Sequence, residues 1–404
     1  MEIYLYKARK IGTKEIIKSE GKFESESHAN KYLINNKMVP LSVTKKTAMT
    51  TDLKDLPFFQ PKIKTQDIVF FCKQFGVMIE AGISIGGALQ ILGEQAPNPT
   101  LQKKVRQIDK DVQKGSNLSD AMAQHKEFPD LLINMIRSGE ASGIMDQVMD
   151  KMAAHYEKQM NLKRTLKKAL TYPILVLVTI SIVIPVLMIF VVPGFVSIFE
   201  DTEIALPMAT QVVIAISEWM QRNWAMMGIG LGLVTIGLML FKKSKQGKAV
   251  FDQAALSMPL IGDLNKKTIT ALFSETLALL VTAGVPVFQS LEIVREVLSN
   301  TVARAEMETT LKGVREGRTV SKSLEISKIY PAMMVSMLRI GEETGALDEM
   351  LIKTAHYYNA EVETSVEQLT VLIEPILMVI IAFLVGGIMI AVILPTFTLA
   401  TELM

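Results

Sequence analysis

Cysteine and histidine are scarce in this chain. A single cysteine among 404 residues excludes an intrachain disulfide. Cys72 falls on an apolar helix face, which predicts a buried structural thiol rather than a nucleophile. The histidines stand alone without ligand spacing, so solvated helix positions are expected and no metal centre is predicted. There are four of them: His28, His125, His155 and His356.

Catalytic and nucleotide-binding motifs are also missing. The sequence contains no GxxxxGKS or GxxxxGKT, which would form the phosphate-binding loop of an NTPase, and no GxSxG or HExxH. The net charge is only +2, so no overall positive field favours direct binding of nucleic acid. We therefore expect a protein that is not an enzyme and that has no catalytic, cofactor-binding or metal-binding residues.

Long uncharged runs, in contrast, are present in three places. Residues 173–192, 224–241 and 375–394 carry no charged residue. A helix of about 20 apolar residues crosses a hydrocarbon core of about 30 Å. Hydrophobic residues make up 49% of the chain and charged residues still make up 21%, so membrane spans joined to water-exposed domains are predicted.

One ten-residue pattern occurs twice, as RSGEASGIMD at 137–146 and as RIGEETGALD at 339–348, which is 202 residues later. The same offset holds from about residue 68 to residue 197 without insertion or deletion. A period this long indicates a duplicated domain rather than a solenoid. The uncharged run at 224–241 lies outside the repeat, and it is needed to return the chain to the side of the membrane on which the second copy starts.

Charges that flank the apolar runs orient the chain. Lysine and arginine cluster before the first run and after the second, whereas the stretch between them has four acidic residues and one arginine. The positive-inside rule places both repeated units in the cytoplasm and the C-terminus outside. The start, MEIYLYKARK, is charged and lacks the apolar length of a secretory signal peptide, so the N-terminus is expected in the cytoplasm.

Apolar residues in both units follow a helical period, with breaks near proline and glycine. We expect an all-α membrane protein with two repeated cytoplasmic six-helix bundles, three transmembrane helices and a small N-terminal α/β segment. The predicted parts are an adaptor and linker 1–60, a first unit 61–171, a first span 172–193, an external loop 194–223, a second span 224–241, a second unit 242–373, a third span 374–395 and an external tail 396–404.

Helix termination accounts for most of the repeated pattern. Gly139 can end one helix, Gly143 can adopt a positive φ, and Asp146 suits the positive end of the next helix dipole. The second copy has the same residue types at Gly341, Gly345 and Asp348. Capping does not explain Glu140 or its equivalent Glu342, so a partner-facing role for these glutamates is the alternative hypothesis.

Three residues of the spans stand out. Glu374 lies where the third apolar run begins, so it is either a functional ionisable group at the membrane or a glutamate before a helix-starting proline. Pro185 removes a backbone hydrogen bond in the first span, and its repeat equivalent is Gly387. A helix kink or packing notch is predicted at both positions, with a hinge as the sharper alternative.

Together these features identify a resemblance. The paired turns, TYPILVLV before the first span, IEPILMVI before the third, VVPGF and ILPTF at their ends, and the N-terminal segment resemble the type II secretion system F family over nearly the whole chain. The resemblance implies a cytoplasmic-membrane platform that oligomerises, docks on a hexameric secretion ATPase and helps to lift pilin or pseudopilin subunits into a filament. By position it assigns Glu140, Gly143, Asp146, Glu342, Gly345 and Asp348 to the family's repeated turn, and Glu374 to the start of its third span.

Two other functions fit parts of the pattern. Secondary transporters also contain repeats and broken helices, but three spans and no charge at the midplane speak against a transporter unless an oligomer forms the pathway. A membrane-anchored signalling scaffold should carry an output or ligand domain, and the sequence shows no such domain.

Overall fold

The computed structural model describes residues 2–10, 16–36, 38–45, 61–195 and 207–402. A small N-terminal sheet has the order β2-β1-β3, in which both neighbours of β1 are antiparallel to it. The predicted α/β segment is thus confirmed, whereas residues 46–60 of the predicted adaptor and linker lie outside the described residues. The elements are β1 (Glu2–Lys10), β2 (Ile16–Phe23), α1 (Glu26–Asn35) and β3 (Met38–Lys45).

The first unit is entirely helical. Ser84 caps α3 by accepting the Gly87 amide, and Asn98 caps α4 by accepting the Thr100 amide, with Pro99 as the first helical residue. Its helices are α2 (Thr65–Glu80), α3 (Ile85–Gln95), α4 (Pro99–Gln113), α5 (Leu118–Ala123), α6 (Asp130–Ser142) and α7 (Met145–Val186).

The chain then continues through α8 (Met208–Lys243), α9 (Lys245–Ser257), α10 (Ile261–Thr282), α11 (Val287–Val297), α12 (Thr301–Arg315), α13 (Val320–Leu324), α14 (Ala332–Thr344) and α15 (Leu347–Glu402). Five of these helices, α11 to α15, begin 202 residues after α3 to α7, so the duplication is present in the fold. Within the described ranges, no helix of the first unit corresponds to α9, which packs against α10 and α12.

Both units share one continuous apolar core. Phe71 and Phe75 of α2 and Phe273 of α10 are fully buried in it. Loss of one such ring costs about 3–5 kcal/mol. Cys72 is also fully buried, and burial raises the pKa of its thiol, as expected for an inert cysteine.

In the part of the chain that the structure describes, three helices are long and apolar enough to cross a membrane, namely α7 with its continuation to Phe195, α8 and α15. Few residues in their most apolar windows are buried within the chain, so their side chains point outward. Just beyond the end of α7, Met188 and Val192 form a small buried cluster with Met220 of α8. The Thr210 hydroxyl donates to the Ala391 carbonyl at 2.7 Å, which ties the start of α8 to the far part of α15.

The second spanning helix starts earlier than the sequence predicts. Residues 208–223 belong to the predicted external loop, but they are helical and contain a break in helical geometry at Asn223 (φ −117°, ψ 16°). Polar residues hide this part of α8 from a hydropathy search. One of them, Ser217, is buried and donates a hydrogen bond to the Met188 carbonyl, so it serves packing between helices.

Pro185 and Gly387 lie in different local structures. The helix that contains Pro185 passes into a π-helical turn at Leu187–Val191, next to the position where the proline lacks an amide proton. Gly387 lies in regular α-helix, and a methyl group added there would meet no atom of the described residues within 4 Å. A helix irregularity thus lies next to Pro185, whereas Gly387 is an exposed residue of regular α-helix, and a kink or packing notch at these positions stays a prediction.

Candidate partner-coupling turns

The repeated turn joins α6 to α7 in the first unit and α14 to α15 in the second. Gly143 and Gly345 adopt left-handed φ values of 72° and 70°, where a side chain would be strained. Asp146 and Asp348 lie in the first turns of α7 and α15, where a negative charge is favoured by the helix dipole. These roles agree with the sequence analysis.

Gly139 and Gly341 do not end their helices, so the sequence-based prediction is wrong at these two positions. Helix α6 continues to Ser142, and Gly139 lies inside it. A Cβ atom on Gly139 would lie 3.1 Å from Val148 Cγ2, and one on Gly341 would lie 2.9 Å from Leu347 Cα. Glycine is needed at these positions because the two helices that flank the turn approach each other closely.

Glu140 accepts three hydrogen bonds from the start of α5. Its carboxylate lies 2.5 Å from the Leu118 amide nitrogen, 3.1 Å from the Ser119 amide nitrogen and 2.6 Å from the Ser119 hydroxyl. A negative charge at this end of a helix satisfies amides that have no partner within the helix. The glutamate that local capping does not explain is therefore itself a helix cap, supplied from a distant part of the chain.

The second unit repeats this cap. Glu342 accepts from the Val320 amide at 2.6 Å, from the Ser321 amide at 3.1 Å and from the Ser321 hydroxyl. Each carboxylate reaches back 21 and 22 residues along the chain. No short-range pattern in the sequence marks such a contact, although the same contact in both units shows that it belongs to the duplicated fold.

The turns have a buried side and an exposed edge. Glu140 and Glu342 are half-buried beneath their turns, whereas Gly143, Gly345 and Asp348 are exposed. Asp146 is half-buried. The turn residues thus lie together within each unit, and their exposed edge is what a partner would meet.

Glu374 lies far from the turns. It is exposed, and it follows the start of α15 by 27 residues, or about 40 Å of helix. Pro375 lies inside α15, so it does not start a helix and the explanation from a helix dipole at Glu374 is wrong. The glutamate is an exposed carboxylate on a continuous helix, next to the apolar part of the third span.

A polar cluster that no sequence pattern indicates joins the two units. His155 of α7 is 3% exposed, and its Nδ1 donates to Glu275 Oε1 of α10 at 2.7 Å. Lys158 Nζ lies 3.5 Å from the second oxygen of Glu275, and Asn359 Nδ2 donates to that oxygen at 3.3 Å. The expectation of a solvated position is wrong for His155 because α10 covers it, and His125 is buried as well.

Electrostatics favour the charged form of Glu275. Burial acts to raise the pKa of its carboxyl, but the hydrogen bond from His155 and the nearby charges outweigh burial and hold the pKa below its ordinary value. A second contact between the units is the hydrogen bond from the Ser138 hydroxyl to the Ala283 carbonyl. Among the described residues, no group of three or more His, Cys, Asp or Glu side chains is placed to hold a metal ion.

Comparison with known proteins gives matches over both units. The family profile described as type II secretion system (T2SS), protein F, matches residues 71–193 and 273–395, which are again 202 residues apart. A type IV pilus assembly protein PilC of Pseudomonas aeruginosa is 35% identical over 340 residues, covering 84% of this chain and 91% of the relative.

Two further relatives are named for type IV pilus assembly and for type II secretion. The type IV pilus assembly protein PilC of Thermus thermophilus is 34% identical over 339 residues, covering 82% of each chain. A type II secretion system protein F of Pseudomonas aeruginosa is 28% identical over 342 residues, covering 84% of each chain. The similarity therefore spans both repeated units together with the apolar helices that come after them.

Proposed function

Since this chain belongs to the type II secretion system protein F family, we propose that it is the cytoplasmic-membrane platform of a type IV pilus or type II secretion machine. In this role it couples a cytoplasmic hexameric ATPase to the extraction of pilin or pseudopilin subunits from the membrane and to their assembly into a filament. Several copies act together in the bilayer. The protein itself catalyses no reaction and does not bind nucleic acid directly.

Continuous helices between the turns and the membrane carry this proposal. Helix α7 has 42 residues and α15 has 56, which correspond to about 63 Å and 84 Å. Each begins at a repeated turn and runs without a connecting loop into an apolar span. A force applied at the turns would therefore reach the membrane along rigid elements, which is what a coupling protein requires.

The turn residues fit this role in two ways. Gly143, Gly345 and Asp348 belong to the exposed edge that would contact the ATPase, with Asp146 partly accessible beside them. Glu140 and Glu342 would act indirectly, because their carboxylates fix each turn against the start of a neighbouring helix.

At the membrane, Glu374 is an exposed carboxylate at the start of an apolar run, and in this proposal it would contact a transmembrane subunit. The charge distribution supports cytoplasmic units and an external C-terminus, because lysines follow α8 at its cytoplasmic end.

Removal of the gene tests the proposal. Cells that lack the protein should form no filament while their pilin or pseudopilin subunits stay in the cytoplasmic membrane, and the full-length chain should restore assembly. Electron microscopy of the cell surface and fractionation of the subunits measure both outcomes. Normal filaments in the deletion strain would refute the proposed function.

A further inference from the structure

The contact between the two units is not reciprocal. The face of the first unit formed by α6 and α7 packs against the face of the second unit formed by α10 and α11. The residues that would form the reverse contact are the repeat equivalents of both faces. These are α14 and α15 in the second unit, and α2 and α3 in the first. Helix α15 also contacts α7 within the chain, but the counterpart faces keep exposed side chains at the positions that the internal contact uses.

Exposure shows that the α14/α15 face is uncovered. Met333 is 40% exposed, whereas its first-unit equivalent Leu131 is buried. Ile340 is 46% exposed, whereas its equivalent Ser138 is half-buried. Tyr357 is 42% exposed, although its equivalent His155 is buried beneath α10. The second unit therefore presents apolar side chains where the first unit has a covered surface.

The α2/α3 face is uncovered as well. Val77 is 62% exposed, while its second-unit equivalent Leu279 is partly buried against the core. Lys73 is exposed at the position of Glu275, and Ala81 is exposed at the position of Ala283. Each unit thus exposes apolar side chains at the repeat positions that the internal contact uses, as a surface that binds a partner does.

A base stands on the open face where the internal contact has an acid. Inside the chain an acid on α10, Glu275, meets the basic pair His155 and Lys158. Its repeat equivalent on α2 is Lys73, which pairs with Glu157 of α7 in its own unit. Because Lys73 has the same sign as the basic pair, it disfavours binding of an α6/α7 face at the α2/α3 face.

The α14/α15 face also borders a cleft. It has a volume of about 380 Å³ and lies between α10, α14 and α15, with Met333, Tyr357 and Glu361 among its lining residues. At the equivalent place in the first unit, Leu131 and His155 are buried. The cleft is therefore the place where a second α2/α3 face would fit.

We propose that the α14/α15 face of one copy of this chain binds the α2/α3 face of the next copy, in the way that the two units of one chain bind each other. The contact is head-to-tail, so each copy has one open face of each kind and successive copies form a ring if the rotation closes. This inference deepens the proposed function, and it rests on that function only for the expectation that several copies assemble in one membrane.

Paired cysteines test the contact in the full-length protein in its membrane. The hydrogen bond from Ser138 to the Ala283 carbonyl brings these positions close together inside one chain, and their open equivalents are Ile340 and Ala81. Ala81→Cys with Ile340→Cys should give disulfide-linked dimers and higher oligomers. Ser138→Cys with Ala283→Cys is the matched control, which should cross-link within one chain without an increase in mass. The native Cys72 is buried, so it does not interfere.

Co-expression of the single variants distinguishes a head-to-tail contact from a contact between two identical faces. Ala81→Cys and Ile340→Cys on different copies should form a mixed dimer, and neither variant alone should dimerise. Val77→Asp in the doubly substituted chain buries a charge in the contact and should lower the cross-linked yield about tenfold, as expected for a loss of about 1.4 kcal/mol. Ile352 is exposed on another side of α15, so Ile352→Asp should leave the yield of cross-linked product unchanged.

Three results would overturn the inference: no intermolecular product when the control pair does cross-link, a dimer formed by Ala81→Cys alone, or capture of a different protein by Ile340→Cys. If the deletion strain still assembles filaments while the expressed variants cross-link between copies, the proposed function is refuted and this inference stands. Loss of filaments on deletion without the predicted cross-link would do the reverse.

Discussion

Removal of the Glu342 carboxylate should loosen α13 and the turn above it. Glu342→Ala leaves the Val320 and Ser321 amides and the Ser321 hydroxyl without their acceptor. A helix cap contributes about 1 kcal/mol, and a hydrogen bond to a charged group contributes about 1.5–3 kcal/mol. Since the site is only half-buried and water replaces part of the interaction, we expect local stability to fall by about 2–3 kcal/mol.

Hydrogen exchange by mass spectrometry measures this effect in the protein reconstituted in lipid. Amides of Val320 and Ser321 open locally, so a loss of 2–3 kcal/mol should raise their exchange rates by about 30- to 150-fold. Glu342→Gln keeps the shape of the side chain and removes its charge, so it should have a smaller effect.

The neighbouring Glu343 is exposed and serves as the control. Glu343→Ala should leave the exchange of both amides unchanged. A rate change of less than about twofold for Glu342→Ala, or an equal change for Glu343→Ala, would refute the assignment of Glu342 as the cap.

Three further outcomes are expected. Because the pKa of Glu275 is held low in the folded protein, the stabilisation that its carboxylate provides is present above about pH 4.5 and is lost as the pH falls further. Thermal unfolding measured from about pH 5 down to about pH 2 should therefore depend less on pH in Glu275→Gln than in the natural chain. Gly341→Ala should cost about 1–3 kcal/mol by overpacking against Leu347, whereas Gly86→Ala, where the added methyl group has space, should cost no stability in the same unfolding assay. Reporter fusions should place residue 245 in the cytoplasm and residue 203 outside, and the reverse pattern would contradict the topology.

Sequence periodicity and hydropathy predicted most of the architecture because those signals are local or regularly repeated. The three apolar runs, the 202-residue offset and the positive φ of Gly143 and Gly345 all follow from such patterns. The search for uncharged runs does not find the start of α8 because Glu218 and Arg222 interrupt the apolar stretch. Thr210 and Ser217 in this part of the helix donate to carbonyls of the neighbouring spans.

Contacts between distant residues could not be predicted from the sequence. Glu140 caps a helix whose first residues lie more than 20 positions upstream, and His155 is buried by a helix 120 residues away. A single sequence carries no local mark of either contact. The close approach of α7 to Gly139 is equally hard to predict, because a glycine can either end a helix or make room for a neighbouring helix.

Site-specific photo-cross-linking from the two ends of the protein tests the central claim, that it couples a cytoplasmic motor to subunits in the membrane. A photoreactive residue replaces Glu343, on the exposed edge of the second turn, or Phe383, which is 82% exposed within the third span. In living cells the first position should capture a hexameric secretion ATPase, and the second should capture pilin or pseudopilin subunits. Capture of neither, with the protein intact in the membrane, would contradict the account.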